Sequence, residues 1–245
     1  MKTVAIIPSR YGSSRFLGKP LALICGKPMI QWVYENVSRA SCIDELYVAT
    51  DDKRIFEVVQ GFGGKAIMTS DAHTCGTDRL AECAVILKLE DEDLVLNIQG
   101  DEPLIKKEMI DDLFSCFEDH NVYMGTLKKR IDMHEELNNP NIVKVVTDMN
   151  EYAICFSRFC LPYERDGIQT DHYKHVGVYG YKTWFLKIFS KMNKTPLEKA
   201  ESLEQLRVIE NGYRIKVKET VYQTIGVDTP EQISQVEAEL RKVSG

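Results

Sequence analysis

Short apolar runs alternate with amphipathic stretches through the first half of the chain, the pattern of a mostly parallel sheet covered by helices on both faces. Val4 to Pro8 predicts the first strand. A loop rich in glycine and charge, Ser9 to Lys27, follows it. Pro28 then opens a helix that stacks Met29, Ile30, Val33 and Val37 on one face, proline being tolerated in a first turn. Leu46 to Thr50 reads as a second strand. It runs into Asp51 and Asp52, whose carboxylates suit the N-terminus of a helix carrying Ile55, Val58 and Val59 and closed by Gly61, Gly63 and Gly64. Ala66 to Thr69 predicts a third strand and Asp78 to Leu89 a helix. Leu94 to Ile98 predicts a fourth strand, apolar but for Asn97, as a central parallel strand should largely be.

Past a helix at Glu108 to Glu118 the rhythm changes. Strand-like stretches at Tyr123 to Thr126, Ile142 to Thr147 and Tyr152 to Ser157, with a polar loop from Asp132 to Asn141, predict an antiparallel extension or an inserted subdomain, not another βα unit. Helices at Lys182 to Lys191 and Glu198 to Glu210, a strand at Ile215 to Val221 and a last helix at Pro230 to Lys242 finish the chain. The whole predicts one Rossmann-like α/β domain over residues 1–245, with a smaller strand-rich region inserted at about 122–195. The acidic cluster Glu90 to Asp93 reads as a solvated turn before the fourth strand.

Composition narrows the class. Hydrophobic residues make up 44% and charged residues 28% of 245, which excludes a disordered or fibrous chain. Thirty-one basic against 37 acidic residues leave a net charge of −6, so no nucleic-acid partner is expected. No apolar run approaches the roughly 18 residues that span a bilayer, and the expectation is a soluble cytoplasmic protein without a membrane partner. Seven cysteines, an odd number with no C-x-x-C pair, read as reduced thiols. His172 and His175 form an H-x-x-H that lacks further ligands at zinc-site spacing.

The densest chemical signal is Arg10-Tyr11-Gly12-Ser13-Ser14-Arg15-Phe16-Leu17-Gly18-Lys19-Pro20, directly after the first strand. Its glycines allow unusual backbone angles, Ser13 and Ser14 offer hydroxyls, and Arg10, Arg15 and Lys19 put three cations on one loop. Such a loop suits a polyanion, with backbone N–H groups and arginine forks around phosphate oxygens. It is neither a P-loop, since Pro20 follows Lys19, nor a G-x-G-x-x-G. A second signal is a pair of aspartates, Asp101 just after the fourth strand and Asp228 before the last helix. Mg²⁺ prefers one or two carboxylates completed by substrate phosphates and water, so the two converging on a triphosphate would suffice. By spacing alone Asp228 reads equally as a helix cap. The D-x-D at Asp91 to Asp93 precedes its strand instead of ending it, and is set aside as a metal site.

Taken together, the phosphate loop, Gly26-Lys27-Pro28-Met29-Ile30, Val48-Ala49-Thr50-Asp51, Met68-Thr69, Gly76-Thr77-Asp78-Arg79, Asn97-Ile98-Gln99-Gly100-Asp101-Glu102-Pro103, Phe156-Ser157-Arg158, His175 to Tyr181, Leu203 to Arg207 and Gly226-Val227-Asp228-Thr229-Pro230 resemble the bacterial 3-deoxy-manno-octulosonate (Kdo) cytidylyltransferases, also called CMP-Kdo synthetases. The resemblance runs nearly the full length, in order. It implies a nucleotidyltransferase-type fold and transfer of CMP from CTP to the anomeric hydroxyl of Kdo, an acidic eight-carbon sugar. It also implies Mg²⁺ as cofactor, a product for lipopolysaccharide synthesis and a homodimer.

Carried over by motif, Arg10, Ser13, Arg15 and Lys19 would bind phosphates, Cys75, Gly76 and Thr77 would face the nucleotide, and Asp101 and Asp228 would hold Mg²⁺. The resemblance gives Lys19, Arg15 and Asp101 the catalytic roles. Gln99, Arg158, His175, Tyr179, Glu204 and Gln205 would line the sugar, with Arg158 paired to its carboxylate. By pattern alone His175 reads as a structural histidine, and Glu204 and Gln205 as the wet face of a helix. Two positions depart from the family pattern: Leu17 stands where proline is common and Cys75 where serine is usual. The alternatives are a cytidylyltransferase for a related acid sugar, such as the 8-amino analogue of Kdo or a sialic acid, and a non-catalytic nucleotide-binding regulator.

Overall fold

The computed structural model describes residues 1–12, 16–73 and 75–243. Strand β1 (Thr3–Ser9) points Val4 and Ile6 to one face and Ala5 and Ile7 to the other, all fully buried. It is flanked in parallel by β4 (Glu45–Thr50) and β6 (Leu94–Asn97), and β5 (Ala66–Met68) lies outside β4. A short hairpin of β2 (Leu23–Ile24) and β3 (Lys27–Pro28) leads into α1 (Met29–Val37). This helix buries the predicted stripe of Met29, Ile30, Val33 and Val37.

Helices α1, α2 (Lys53–Gly61) and α4 (Lys107–Ser115) contribute to one hydrophobic cluster with Ala5 and Ile7. The second cluster joins Val4 and Ile6 to α3 (Gly76–Ile86) and α6 (Thr183–Phe189). Only Asp52 caps α2, accepting from the Arg54 amide. Asp51, expected beside it, pairs with Arg79 at 2.7 Å.

The strand-rich region continues the same sheet as an antiparallel extension. Strand β10 (Tyr173–Lys182) pairs antiparallel with β6 on one edge and with β7 (Met124–Arg130) on the other, and β11 (Lys216–Glu219) runs parallel to β7. Strand β10 slips register between Val176 and Tyr179. Its first half meets β8 (Lys144–Thr147), which pairs with β9 (Ala153–Ser157). A short helix α5 (His134–Leu137) sits in the polar loop.

The single helix expected over 198–210 is two, α7 (Pro196–Glu201) and α8 (Leu206–Glu210). Ser202 takes a left-handed φ of 52° between them, which ends the first. The last helix, α9 (Glu231–Val243), packs Val236 against Ile24, Met29 and Val227. Within the acidic cluster Asp93 is buried, a correction to the solvated turn. Its carboxylate accepts from the Lys2 and Glu90 amides, while Asp91 and Glu92 pair with Lys187 and Lys182.

Candidate active site

Two adjoining cavities open at the carboxyl ends of β1 and β6, where open α/β sheets place their ligands. The larger, about 290 Å³, is bordered by Arg10 and Lys19 from the first loop, Gln99 and Asp101 after β6, and Asp228 before α9. His73, Cys75, Gly76 and Arg79 close its far side. The smaller, about 150 Å³, is walled by Thr77, Asn97, Tyr179, Tyr181, Glu204 and Gln205 among others. The two share Pro8, Gly76 and Gln99.

Backbone chemistry brings these strand ends together. A Cβ on Gly100 would stand 2.8 Å from Ser9 Oγ and 3.1 Å from the Pro8 carbonyl, so only glycine lets the turn after β6 pass this close to β1. The first loop is closed at its base by the Gly18 amide donating to the Tyr11 carbonyl at 2.9 Å, with Gly18 at φ 70°. The Arg54 guanidinium lies 3.3 Å over the Tyr11 ring and pins that side of the loop. Ser13 and Arg15 lie outside the described residues.

Lys19 is the hinge of the charge arrangement. Its Nζ stands 2.6 Å from Asp101 Oδ2 and 3.3 Å from Asp228 Oδ1, so carboxylates from distant parts of the chain converge on one cation. The Val227 amide donates to the Asp101 carbonyl at 2.8 Å and ties the two segments together. Oxygen donors that already gather around a positive charge fit Mg²⁺, which needs no more than one or two protein carboxylates. Next to Asp101, burial and then the Asp101 charge push the Glu102 carboxyl up to about 8.

Helix α3 begins at Gly76, presenting its positive end to both cavities. Burial, with Glu204 and Asp78 adding, pushes the Cys75 thiol up to about 12, so it stays a neutral thiol where it borders the larger cavity. Two residues in this cavity escaped the sequence reading. Arg79 is buried between Thr69 Oγ1 and Asp51, and His73 Nε2 sits 2.6 Å from Glu82. The signal for Arg79 was its place one turn into the helix that starts at Gly76.

In the smaller cavity Thr77 donates to Glu204 Oε2 at 2.9 Å, and Gln99 Nε2 donates to the Gly177 carbonyl exposed by the register slip in β10. Glu204 and Gln205 face the cavity because the chain breaks between α7 and α8, which turns them away from the solvent face expected of one continuous helix. Burial, and secondarily Glu204, raises the Tyr179 hydroxyl well above its ordinary value. Buried Arg207 pairs with Glu198 at 2.5 Å and reaches Glu204 at 3.4 Å.

The other two sugar candidates border neither cavity. The Arg158 guanidinium donates to the Glu201 and Pro140 carbonyls, at 2.7 and 2.8 Å. His175 Nε2 lies 3.0 Å from Thr126 Oγ1, which donates its one hydrogen to the Val178 carbonyl at 2.7 Å. The histidine is therefore the donor, a neutral Nε2–H tautomer, and burial presses its pKa down to about 3. Among the described residues no three His, Cys, Asp or Glu side chains cluster as a metal site, and all seven cysteines are free.

Residues 4–218 match the cytidylyltransferase family model. The chain is 54% identical to the 3-deoxy-manno-octulosonate cytidylyltransferase of Fusobacterium nucleatum over 96% of each chain, and 50% identical to that of Thermodesulfovibrio yellowstonii over 97% of each. Among solved structures, CMP:2-keto-3-deoxy-manno-octonic acid synthetase complexed with CTP superposes with a TM-score of 0.93 at 43% identity, covering 99% of both chains. A 4-diphosphocytidyl-2C-methyl-D-erythritol synthase from Anaerococcus prevotii shares the fold at a TM-score of 0.65 and 17% identity. With a family-model match over residues 4–218 and relatives at 50–54% identity over nearly the whole chain, the chain belongs to the 3-deoxy-manno-octulosonate cytidylyltransferases.

Proposed function

We propose that this chain transfers the CMP group of CTP to the anomeric hydroxyl of Kdo and releases pyrophosphate. The observation that carries the reading is the paired cavity: a compartment with Arg10, Lys19 and two aspartates beside one lined by uncharged hydrogen-bonding groups and Glu204. The first suits a triphosphate and the second a polyhydroxylated sugar. They meet at Pro8, Gly76 and Gln99, where the α-phosphate and the attacking hydroxyl would have to meet.

The chemistry asks mainly for positioning and charge neutralisation. Lys19 and Arg10 offset the charge on the phosphates, and the α3 N-terminus at Gly76 adds backbone N–H groups there. Asp101 and Asp228 would hold Mg²⁺, which supplies neutralising charge to the phosphates when bound. Gln99, Tyr179, Glu204 and Gln205 would orient the sugar from its own cavity, so that its hydroxyl faces the α-phosphorus in line with the departing pyrophosphate. Arg158, engaged with backbone carbonyls, and neutral His175 would act by holding β9 and β10 in place around that cavity.

We further infer a homodimer formed through the strand-rich region, supported by exposed Phe159, Tyr163 and Ile168 on it, and a role for the product in lipopolysaccharide synthesis. Among the described residues no helix is long and apolar enough to cross a membrane.

Pyrophosphate release with CTP and Mg²⁺ tests the reading, comparing Kdo, its 8-amino analogue, N-acetylneuraminate and no sugar. Release favouring Kdo is the expected result. Preference for another acid sugar would keep the mechanism and move the specificity, and no release from folded protein that binds CTP would leave a regulator. The Asp101→Asn variant is expected to lose at least about a hundredfold in turnover with its melting temperature retained.

A further inference from the structure

Helices α7 and α8 carry Glu204 and Gln205 into the smaller cavity from the break between them. The two helices are first closed on each other. Arg207 forms a bidentate pair with Glu198 at 2.5 and 2.8 Å, and the Glu210 carboxylate accepts from the Leu197 and Glu198 amides at 3.1 and 3.3 Å. These contacts lie within the pair, so they fix its shape but not its place on the sheet. Leu203, Leu206 and Val208 press it into the second hydrophobic cluster, which also holds Phe156 of β9, but apolar contact has no preferred direction.

Direction comes from Glu201, the last residue of α7. Its carboxylate accepts from the Ser157 hydroxyl at 2.7 Å and from the Arg158 amide at 2.9 Å, at the end of β9. Its carbonyl, one of those that a helix end leaves unpaired, accepts from Arg158 Nε at 2.7 Å. The receiving side is itself anchored, because the Arg158 carbonyl accepts from fully buried Lys144 at 2.9 Å. Directional bonds therefore meet on the residue just before left-handed Ser202, at the point where the chain turns toward Glu204 and Gln205. We propose that Glu201 is a positioning residue for the acid sugar: by fastening the end of α7 to β9, it sets where Glu204 and Gln205 stand in the smaller cavity. The inference rests on that cavity holding the sugar. Glu201 borders neither cavity, so it acts on the sugar through those two side chains, and they border only the smaller one.

The test compares Glu201→Ala with Glu201→Gln, read as KM for sugar and for CTP and as the thermal shift that sugar adds to the CTP-bound protein. Wild-type protein without turnover on any acid sugar would overturn the functional reading itself, before either variant is made. With wild type active, Glu201→Ala is expected to raise the KM of the preferred sugar roughly 10-fold and to shrink the sugar-induced shift. Its CTP KM should stay within about twofold of wild type. Glu201→Gln should return the sugar KM to within about threefold of wild type, because its Oε1 can accept from the Arg158 amide while its Nε2 donates to Ser157 Oγ. A lower melting temperature with an unchanged sugar KM would overturn the inference by making Glu201 a structural residue only. So would sugar and CTP KM values that rise together, or a Gln variant as impaired as the Ala variant. If Glu201→Ala fails to fold, Ser157→Ala removes one of the bonds to the carboxylate and is expected to raise the sugar KM alone by about threefold; an unchanged sugar KM there overturns the inference equally.

Discussion

At the scale of single residues, environment separates groups that look alike in sequence. His172 and His175 are three apart, yet His172 pairs with Glu164 at 3.1 Å whereas His175 meets Thr126 and is kept neutral by burial. Its pKa of about 3 lies below the ordinary 6.5, so between these values the unfolded chain binds a proton that the folded one refuses. This contribution to stability is complete above pH 6.5 and is lost as pH falls toward 3. Denaturant unfolding at pH 6.5 and pH 5 should show a loss of up to about 2 kcal/mol from this group, and His175→Gln should show correspondingly less pH dependence. Equal slopes for the two proteins would remove His175 from the acid limb. The same contrast separates Asp51 from Asp52: adjacent carboxylates, one held by a buried arginine at the cavity and the other capping a helix.

At the scale of elements, the site depends on where regular structure stops. The break at Ser202 turns Glu204 and Gln205 inward, the slip in β10 frees the Gly177 carbonyl for Gln99, and the glycine at 100 lets the turn after β6 close on β1. Gly100→Ala is expected to lower stability by about 1–3 kcal/mol and to raise the KM for CTP, because the new methyl meets the Pro8 carbonyl at the floor of the larger cavity. A thermal melt together with CTP kinetics checks both, and unchanged values would mean that the turn has room to shift. The β8–β9 arm is held by fully buried Lys144, whose ammonium donates to the Asn139, Ile142 and Arg158 carbonyls at 2.7–2.9 Å. Its alternation was readable as strands. Neither its anchor nor the helix break was, since a lysine in a strand pattern reads as solvent-facing and Ser202 carries no breaker signal of its own.

At the scale of the whole molecule, the strand-rich region continues the main sheet through β10 and presents Phe159, Tyr163 and Ile168 at 77%, 85% and 72% exposure. If these residues join two copies, sedimentation should give twice the 28.0 kDa of the chain, and Phe159→Glu with Ile168→Glu should return it to 28.0 kDa. A wild-type monomer at micromolar concentration would sink the dimer. The sequence by itself determined the alternation of strands and helices, the buried stripe of α1, the basic loop after β1 and the two aspartates, because hydrophobic periodicity, charge and glycine are local properties. Only the tertiary structure decided that Asp101 and Asp228 meet at one lysine, that Arg79 and His73 join the larger cavity, and that Arg158 spends its guanidinium on backbone carbonyls. Each of those depends on segments far apart in the chain being brought together by the fold, and no local pattern encodes which partner a charged side chain will find there.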